Sequence, residues 1–487
     1  MFPRTLCAGA TALLLTALAA CGATNAAAPA AITVRTPQTD LAAARRAPTD
    51  PPAATARVGP AALGAVPTGQ RPPQIVVTAF DDSGDAITSP EGHYAIFDYW
   101  RQVSREYNAR MTFFLTGLQL LTSQTEHTYD APQLGPGNSH MGFAFNHVQP
   151  LPGETQTDAV RHEMNNLKGA YAEGNEIGTH FGGHICGNAK GAVGSFSSAD
   201  WEQEIEQFNK MVDNANQTNH LDPPVNLGFT SADIVGSRTP CLEGNFHYLY
   251  PVLAKHGYTY DTSPTPQIRW PNRGASNTGP TNLWVFPLAT LPLYGSTHDE
   301  LGMDWNICAW HDPGCEPKQV PAASADKWSQ QTLDTLRTYF EKSYTGDRAP
   351  LYIGYHPEMW HHGAYTKALA GFLKETCNKP EVRCVSYREV ADWLNSVPEK
   401  QLDSWRTGDF PHYTDPKPPG YGTPVADVLV PQPWPAPSEP STVSGAGAPG
   451  TARQAATAPD RVRAGPAGPG PAPTNQPGTP GRGDRSR

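Results

Sequence analysis

Two histidines, His180 and His184, stand in the glycine-rich run EGNEIGTHFGGHICG, residues 173–187. On a helix that spacing would set both rings on one face, as in zinc proteases with the H-E-x-x-H signature. No glutamate follows His180, and so much glycine does not make a stable helix. The pair is therefore expected on a loop. Two imidazoles need a further donor to hold a catalytic cation, and the run VVTAFDDS offers two, Asp81 and Asp82. One carboxylate completes a His₂Asp set that leaves a position for water. The other then serves as general base toward that water, whose pKa a metal lowers. Successive residues leaving a strand end point in different directions, so the two aspartates can hold different tasks.

The elements that must position these groups are legible as alternating strand-like and helix-like runs from about 73 to 398. QIVVTAF, MTFFLTG, EIGTH, YTYDT, LWVFPL, PLYIGYHPE and RCVSY read as strands. Helical spacing appears in YAIFDYWRQVSREYNA, RHEMNNLKGAYAEG, SADWEQEIEQFNKMVDNA, NFHYLYPVLAKHG, WSQQTLDTLRTYFEKSY, TKALAGFLKETC and REVADWL. Such alternation means an α/β fold with a parallel sheet, open or closed into a barrel. In a (β/α) barrel, active-site residues lie just past the strand ends. Asp81 and Asp82 follow VVTAF, His180 follows EIGT, Arg238 follows IVGS and His356 follows LYIGY, as that rule demands.

The flanks read differently. Residues 1–20 combine Arg4 with the apolar run ALLLTALAA, too short to span a bilayer, and read as a signal peptide. Leu18-Ala19-Ala20-Cys21 looks like a bacterial lipobox, which implies cleavage before Cys21 and lipid on it. The alternative is an ordinary signal peptide with a chance cysteine. Either way the chain is expected to be exported, as a membrane-anchored lipoprotein on the cell surface or as a secreted protein. Residues 21–72 form an Ala/Pro-rich linker, and 399–487 a Pro/Gly-rich tail. Neither carries the apolar surface that offsets ordering entropy, so both are expected to be largely disordered. The net charge of −10 is spread without a basic stripe, which argues against a nucleic-acid partner.

With Cys7 removed and Cys21 used, Cys186, Cys241, Cys308, Cys315, Cys377 and Cys384 remain. An even number in an exported chain points to disulfides. Cys308/Cys315 and Cys377/Cys384 could each close a short loop, leaving Cys186/Cys241 as the long-range pair. Other pairings stay open at this level.

VTAFDDS, GTHFGGH, GSRTPCLEGN, MDWN and LYIGYHPEMW follow the order and rough spacing of the motifs of the polysaccharide deacetylase family, and the chain resembles that family over about residues 74–396. This is the NodB-homology fold, carbohydrate esterase family 4, and the stretch from GSRTP to RCVSYREVADWL looks most like its chitin-deacetylase branch. The resemblance implies a distorted (β/α) barrel that removes acetyl groups from glycans with one divalent metal ion, Zn²⁺ being the first expectation. Position by position, it implies that Asp81 is the catalytic base and that Asp82, His180 and His184 hold the metal. Arg238 pairs with the base, Asp304 orients the acid histidine, and His356 is the general acid. Trp305, Pro240 and Trp360 are implied on the substrate side. The chain departs from the family pattern at Ala79, at Ser83, and at Phe181, where a hydroxyl normally braces the histidine loop.

The expected function is thus metal-dependent N-deacetylation of a polysaccharide, whether chitin-like, peptidoglycan or exopolysaccharide. Two alternatives stand beside it: a non-catalytic glycan-binding lipoprotein on the same fold, and an O-acetyl esterase with the same site. His93, His127, His140, His147, His162, His298, His361 and His362 are expected at the surface or in substrate loops. Trp201, Ile205 and Phe208 are expected in the core, and residues 119–158 as a long insertion over the site.

Overall fold

A computed structural model describes residues 63–84, 86–89, 92–135, 148–265, 267–276, 279–313, 315, 320–412 and 428–433. The signal segment, Cys21, His140 and His147 lie outside the described residues. The strands are β1 (Gln74–Asp81), β2 (Ala86–Ser89), β3 (Gly92–Ala95), β4 (Met111–Leu115), β5 (Glu176–Thr179), β6 (Gly236–Ser237), β7 (Tyr260–Asp261), β8 (Asn272–Ser276), β9 (Gly279–Val285), β10 (Thr290–Pro292), β11 (Asp299–Leu301), β12 (Leu351–Tyr355) and β13 (Val382–Cys384). The helices are α1 (Ile96–Tyr107), α2 (Gln156–Ala172), α3 (Ser198–Asp213), α4 (Ala215–Thr218), α5 (Phe246–Lys255), α6 (Asp304–His311), α7 (Ala322–Thr345), α8 (Trp360–Thr376), α9 (Tyr387–Ser396) and α10 (Glu399–Arg406).

The main sheet runs β12-β1-β4-β5-β6-β7-β9-β8, with β13 also on β1. All its pairings are parallel except β8 with β9. Among the described residues no pairing joins β8 back to β12, so the expected barrel is distorted and open there. The strand β1 is buried along its whole length, as a central strand of a parallel sheet must be. Its alternating side chains feed two cores. Val76 and Phe80 join the core that also holds Trp100, Met164, Phe208 and Phe372 from α1, α2, α3 and α8. Ile75, Val77 and Ala79 join the inner core with Trp270, Trp284, Phe286, Tyr352 and Tyr387. Trp201, Ile205 and Phe208 are buried, as the period of α3 predicts.

Register brings the chemical residues to one rim. Asp81 pairs with Phe114 at the end of β4, Leu115 with Thr179, and Thr179 with Ser237. Phe80 pairs with Tyr355, which precedes His356. A single parallel bridge between Met303 and Gly354 sets α6 beside β12. Gly354 makes that approach feasible, since a Cβ there would meet Met303 Cγ at 3.0 Å.

Two expected boundaries are corrected. Residues 399–406 form α10, and its Leu402 and Trp405 are buried in the inner core with Phe410. Leu63 and Val66, expected in a disordered linker, pack on the same core, where Trp393 donates to the Gly64 carbonyl and Gln401 to that of Val66. Both corrections have one cause: a few apolar residues in a polar segment order it when a preformed aromatic core receives them. His361, expected at the surface or in a substrate loop, is 4 % exposed, packed against Trp328 and 3.5 Å from Asp312.

Candidate active site

The site begins at the end of β1. Asp81 closes the strand in extended backbone, while Asp82 turns into the left-handed region at φ 56°. This divergence separates the two carboxylates. Asp81 Oδ1 accepts a 2.8 Å hydrogen bond from Arg238 Nη1, and both side chains are buried. Arg238 is fixed in turn by Thr262 Oγ1 at 2.8 Å, by Tyr387 Oη at 3.2 Å, and by the Phe114 ring, 4.7 Å below its guanidinium. A buried arginine with one carboxylate and several neutral acceptors holds its partner in one orientation through a charge-assisted hydrogen bond.

Asp82 faces the histidine loop. Its Oδ2 lies 3.4 Å from His184 Nε2, and its Oδ1 accepts from Thr116 Oγ1. Donor atoms of Asp82, His180 and His184 all lie within 4.8 Å of one another. Burial pushes the Asp82 carboxyl up, but His184, His180, His356 and the Thr116 hydroxyl outweigh it and hold it below its ordinary value. His180 Nδ1 donates to the Arg238 carbonyl at 2.8 Å, which fixes the tautomer and leaves Nε2 as a lone-pair donor. Burial lowers the His180 pKa against the pull of Asp81 and Asp82, favouring the neutral ring that a metal requires. Two imidazoles and a carboxylate on one rim fit a Zn²⁺-type cation with a position left open. The other donor clusters, His184/Cys186/Cys241 and Cys308/Cys315/His361, carry disulfide-bonded cysteines and offer no thiolate.

Opposite stands His356, just past β12. Its Nδ1 is 2.8 Å from Asp304 Oδ1, and its backbone N–H donates to Asp304 Oδ2, also at 2.8 Å. Asp304 opens α6, where its Oδ1 also accepts the Trp305 N–H. Burial pushes the His356 pKa down, but the Asp304 charge and hydrogen bond outweigh it, with Asp81 and Asp82 adding to the lift, and the value reaches about 9. Burial raises the Asp304 carboxyl, against the pull of the His356 ring and of two backbone N–H groups. Trp360 packs on His356 at 5.6 Å, Trp305 is half-buried beside Asp304, and Pro240 is buried in the turn after Arg238. The turn is tied to the histidine loop by the disulfide Cys186–Cys241; Cys308–Cys315 and Cys377–Cys384 are the other two.

The structure thus brings together Asp81, Asp82, His180, His184, Arg238, Asp304, Trp305, His356 and Trp360; Cys21 lies outside the described residues. Sequence reasoning missed Thr116, Tyr387 and Glu358. Thr116 directly follows β4 at the same rim, a position that barrel logic flags. Glu358 lies two residues past His356, and burial pushes its carboxyl up to about 8, with Asp304 and Asp82 adding to the rise and His356 opposing it. Tyr387 had no signal beyond its aromatic type.

No protein-family model and no curated protein matches the chain. Among solved structures it is similar to a Mycobacterium smegmatis protein assigned to the polysaccharide deacetylases (16% identity, 70% of this chain and 96% of that one, TM-score 0.39). A 4-alpha-glucanotransferase from Thermococcus litoralis matches at 10% identity over 67% of this chain and 41% of its own length, TM-score 0.38. A mutant of a Bacillus subtilis peptidoglycan deacetylase matches at 11% identity over 68% and 96%, TM-score 0.33. Likenesses this distant carry no argument for the chemistry, which rests on the residues gathered at the rim.

Proposed function

We propose that this protein is a metal-dependent hydrolase that removes N-acetyl groups from a polysaccharide. One combination carries the reading: a His₂Asp donor set, a carboxylate held by a buried arginine and an imidazole held by a buried carboxylate all stand at strand ends of one sheet. Acetamide hydrolysis needs a base to take a proton from water and an acid to give one to the departing nitrogen. Asp82, His180 and His184 would hold a divalent cation, which supplies Lewis acidity toward a carbonyl and acidifies water. Asp81, held in place by Arg238, receives the proton from the attacking water. His356, kept protonated by Asp304, delivers its proton to the amine nitrogen as the C–N bond breaks. Trp360 packs on that ring and Trp305 sits beside Asp304, and both would supply apolar surface for an acetyl methyl. The polysaccharide class is what the family resemblance of the motifs VTAFDDS, GTHFGGH, GSRTP and LYIGYHPEMW implies.

Metal content is the first test. Alanine variants of Asp82, His180 and His184 should fold and purify without bound metal, and full occupancy in His184→Ala sinks the assignment. We further propose export and lipid attachment at Cys21, carried by Leu18-Ala19-Ala20-Cys21; labelling of the expressed chain with a palmitate analogue tests it, and an unlabelled Cys21 rejects it.

A further inference from the structure

The loop that carries both histidines, residues 180–184, is buried and has no regular structure of its own. Every buried N–H and C=O in it therefore needs a partner. The Phe181 N–H donates to Thr179 Oγ1 at 2.8 Å. The Phe181 and Gly182 carbonyls accept from the Gly117 and Leu118 N–H groups at 2.7 and 3.0 Å. The His180 N–H donates to the Leu115 carbonyl at 2.8 Å, and the N–H groups of Gly182 and Gly183 converge on one atom, Glu204 Oε1, at 2.8 and 3.0 Å. The second oxygen, Oε2, accepts the Tyr129 hydroxyl at 2.7 Å.

Glu204 is 1 % exposed and Tyr129 fully buried. Among the described residues no cation pairs with this carboxylate; its partners are three neutral donors. An ionisable group is expensive at such a position, and leucine would fit the apolar stripe of α3 better. Tyr129 comes from the 119–158 insertion, and its ring lies against Gly182 and Gly183, where a Cβ would clash with it. Phe181 packs against Trp201 at a tilt, its ring centroid 4.9 Å away, rather than bracing the loop from this side.

We infer that Glu204 and Tyr129 form a buttress that sets the loop geometry bringing His180 and His184 to the same cation. Both are positioning residues, because neither touches the candidate ligand atoms. One function of the insertion is then to seat this buttress. The inference rests on the reading that Asp82, His180 and His184 bind a metal.

The test is Zn²⁺ affinity of the full chain, measured by competition with a chromophoric chelator, alongside the melting temperature of the metal-free protein. Glu204→Leu strands two buried N–H groups, and the Zn²⁺ Kd should rise on the order of 10-fold or more. Glu204→Gln keeps an acceptor for both glycines and a group that can pair with Tyr129, and should restore affinity to within about threefold of wild type. Glu206→Gln, exposed on the same helix, should change nothing. A residue with a merely structural role would lower the metal-free melting temperature and leave the Kd of the folded protein unchanged; that result for Glu204→Leu overturns the inference. Should Glu204→Leu not fold, Tyr129→Phe decides. It keeps the ring and removes one hydrogen bond, so the Kd should rise about two- to tenfold, and an unchanged Kd rejects the buttress. Wild-type protein that binds no Zn²⁺ would instead defeat the metal reading itself.

Discussion

Replacing Asp304 by asparagine keeps the shape of the pair and removes its charge. The His356 ring, at an ordinary 6.5, is lifted to about 9 despite a burial term that works the other way. That net lift corresponds to ~3 kcal/mol in favour of the protonated ring, and the contributions of Asp304, Asp81 and Asp82 together exceed it by what burial takes back. In Asp304→Asn the burial penalty stays while its largest opponent goes, so the ring should titrate some ~2 units lower or more. The sign for activity follows from the acid role. The rate falls as His356 loses its proton, so the alkaline limb of kcat/KM for acetate release should move to lower pH by that amount while the acid limb stays. At pH 8 the protonated fraction drops from roughly nine-tenths to about a tenth or less, an activity loss of about 10-fold or more. A bound cation lowers the ring's pKa in both proteins, so the difference between the two profiles is the test. Stability follows the same linkage. The folded pKa lies above the unfolded one, so the stabilisation by the pair is complete below about 6.5 and lost as pH rises through about 9. The wild type should therefore lose its stability advantage over Asp304→Asn across that window. Superimposable alkaline limbs, or two limbs that move together, would refute the reasoning.

Two further outcomes follow from the same geometry. Asp81→Asn should retain metal and fold, yet lose a factor of ~10²–10⁴ in turnover, measured by acetate release at saturating substrate; near wild-type turnover would put the base elsewhere. His356→Ala should abolish most amide hydrolysis and erase the alkaline limb, yet spare more activity on an activated aryl acetate, whose leaving group needs no proton; equal damage to both substrates with metal retained would remove His356 from the acid role.

The parts of this molecule visible in its sequence are those with long, regular patterns. β1, β4, β5 and β12, and helices such as α1 and α3, announce themselves by β-branched or aromatic runs and by 3.6-residue spacing. β6 and β7 are two residues each; β7 falls inside the run YTYDT, whereas β6 is too short for any period and only Arg238 after it carries a signal. The helix α6, which delivers Asp304, is a short segment set by its bridge to Gly354 rather than by its own pattern. The candidate metal set was readable because its residues sit in two compact motifs at strand ends. Its support was not, because Glu204 and Tyr129 meet across 75 residues. A trace existed even so: Glu204 lies on the same helical face as Trp201, Ile205 and Phe208, and a charge in an apolar stripe asks for a partner. Leu402, Trp405 and Phe410 give a similar lesson in the tail, where composition hid a local apolar cluster.

The account stands or falls on acetate. Purified full-length protein, stripped with a chelator and assayed on a panel of N-acetylated glycans, should release no acetate; adding back Zn²⁺ should restore release on at least one glycan, and should fail to do so in His184→Ala. Acetate release that persists at full rate in the stripped protein, or in His184→Ala, would contradict a reaction built on Asp82, His180 and His184.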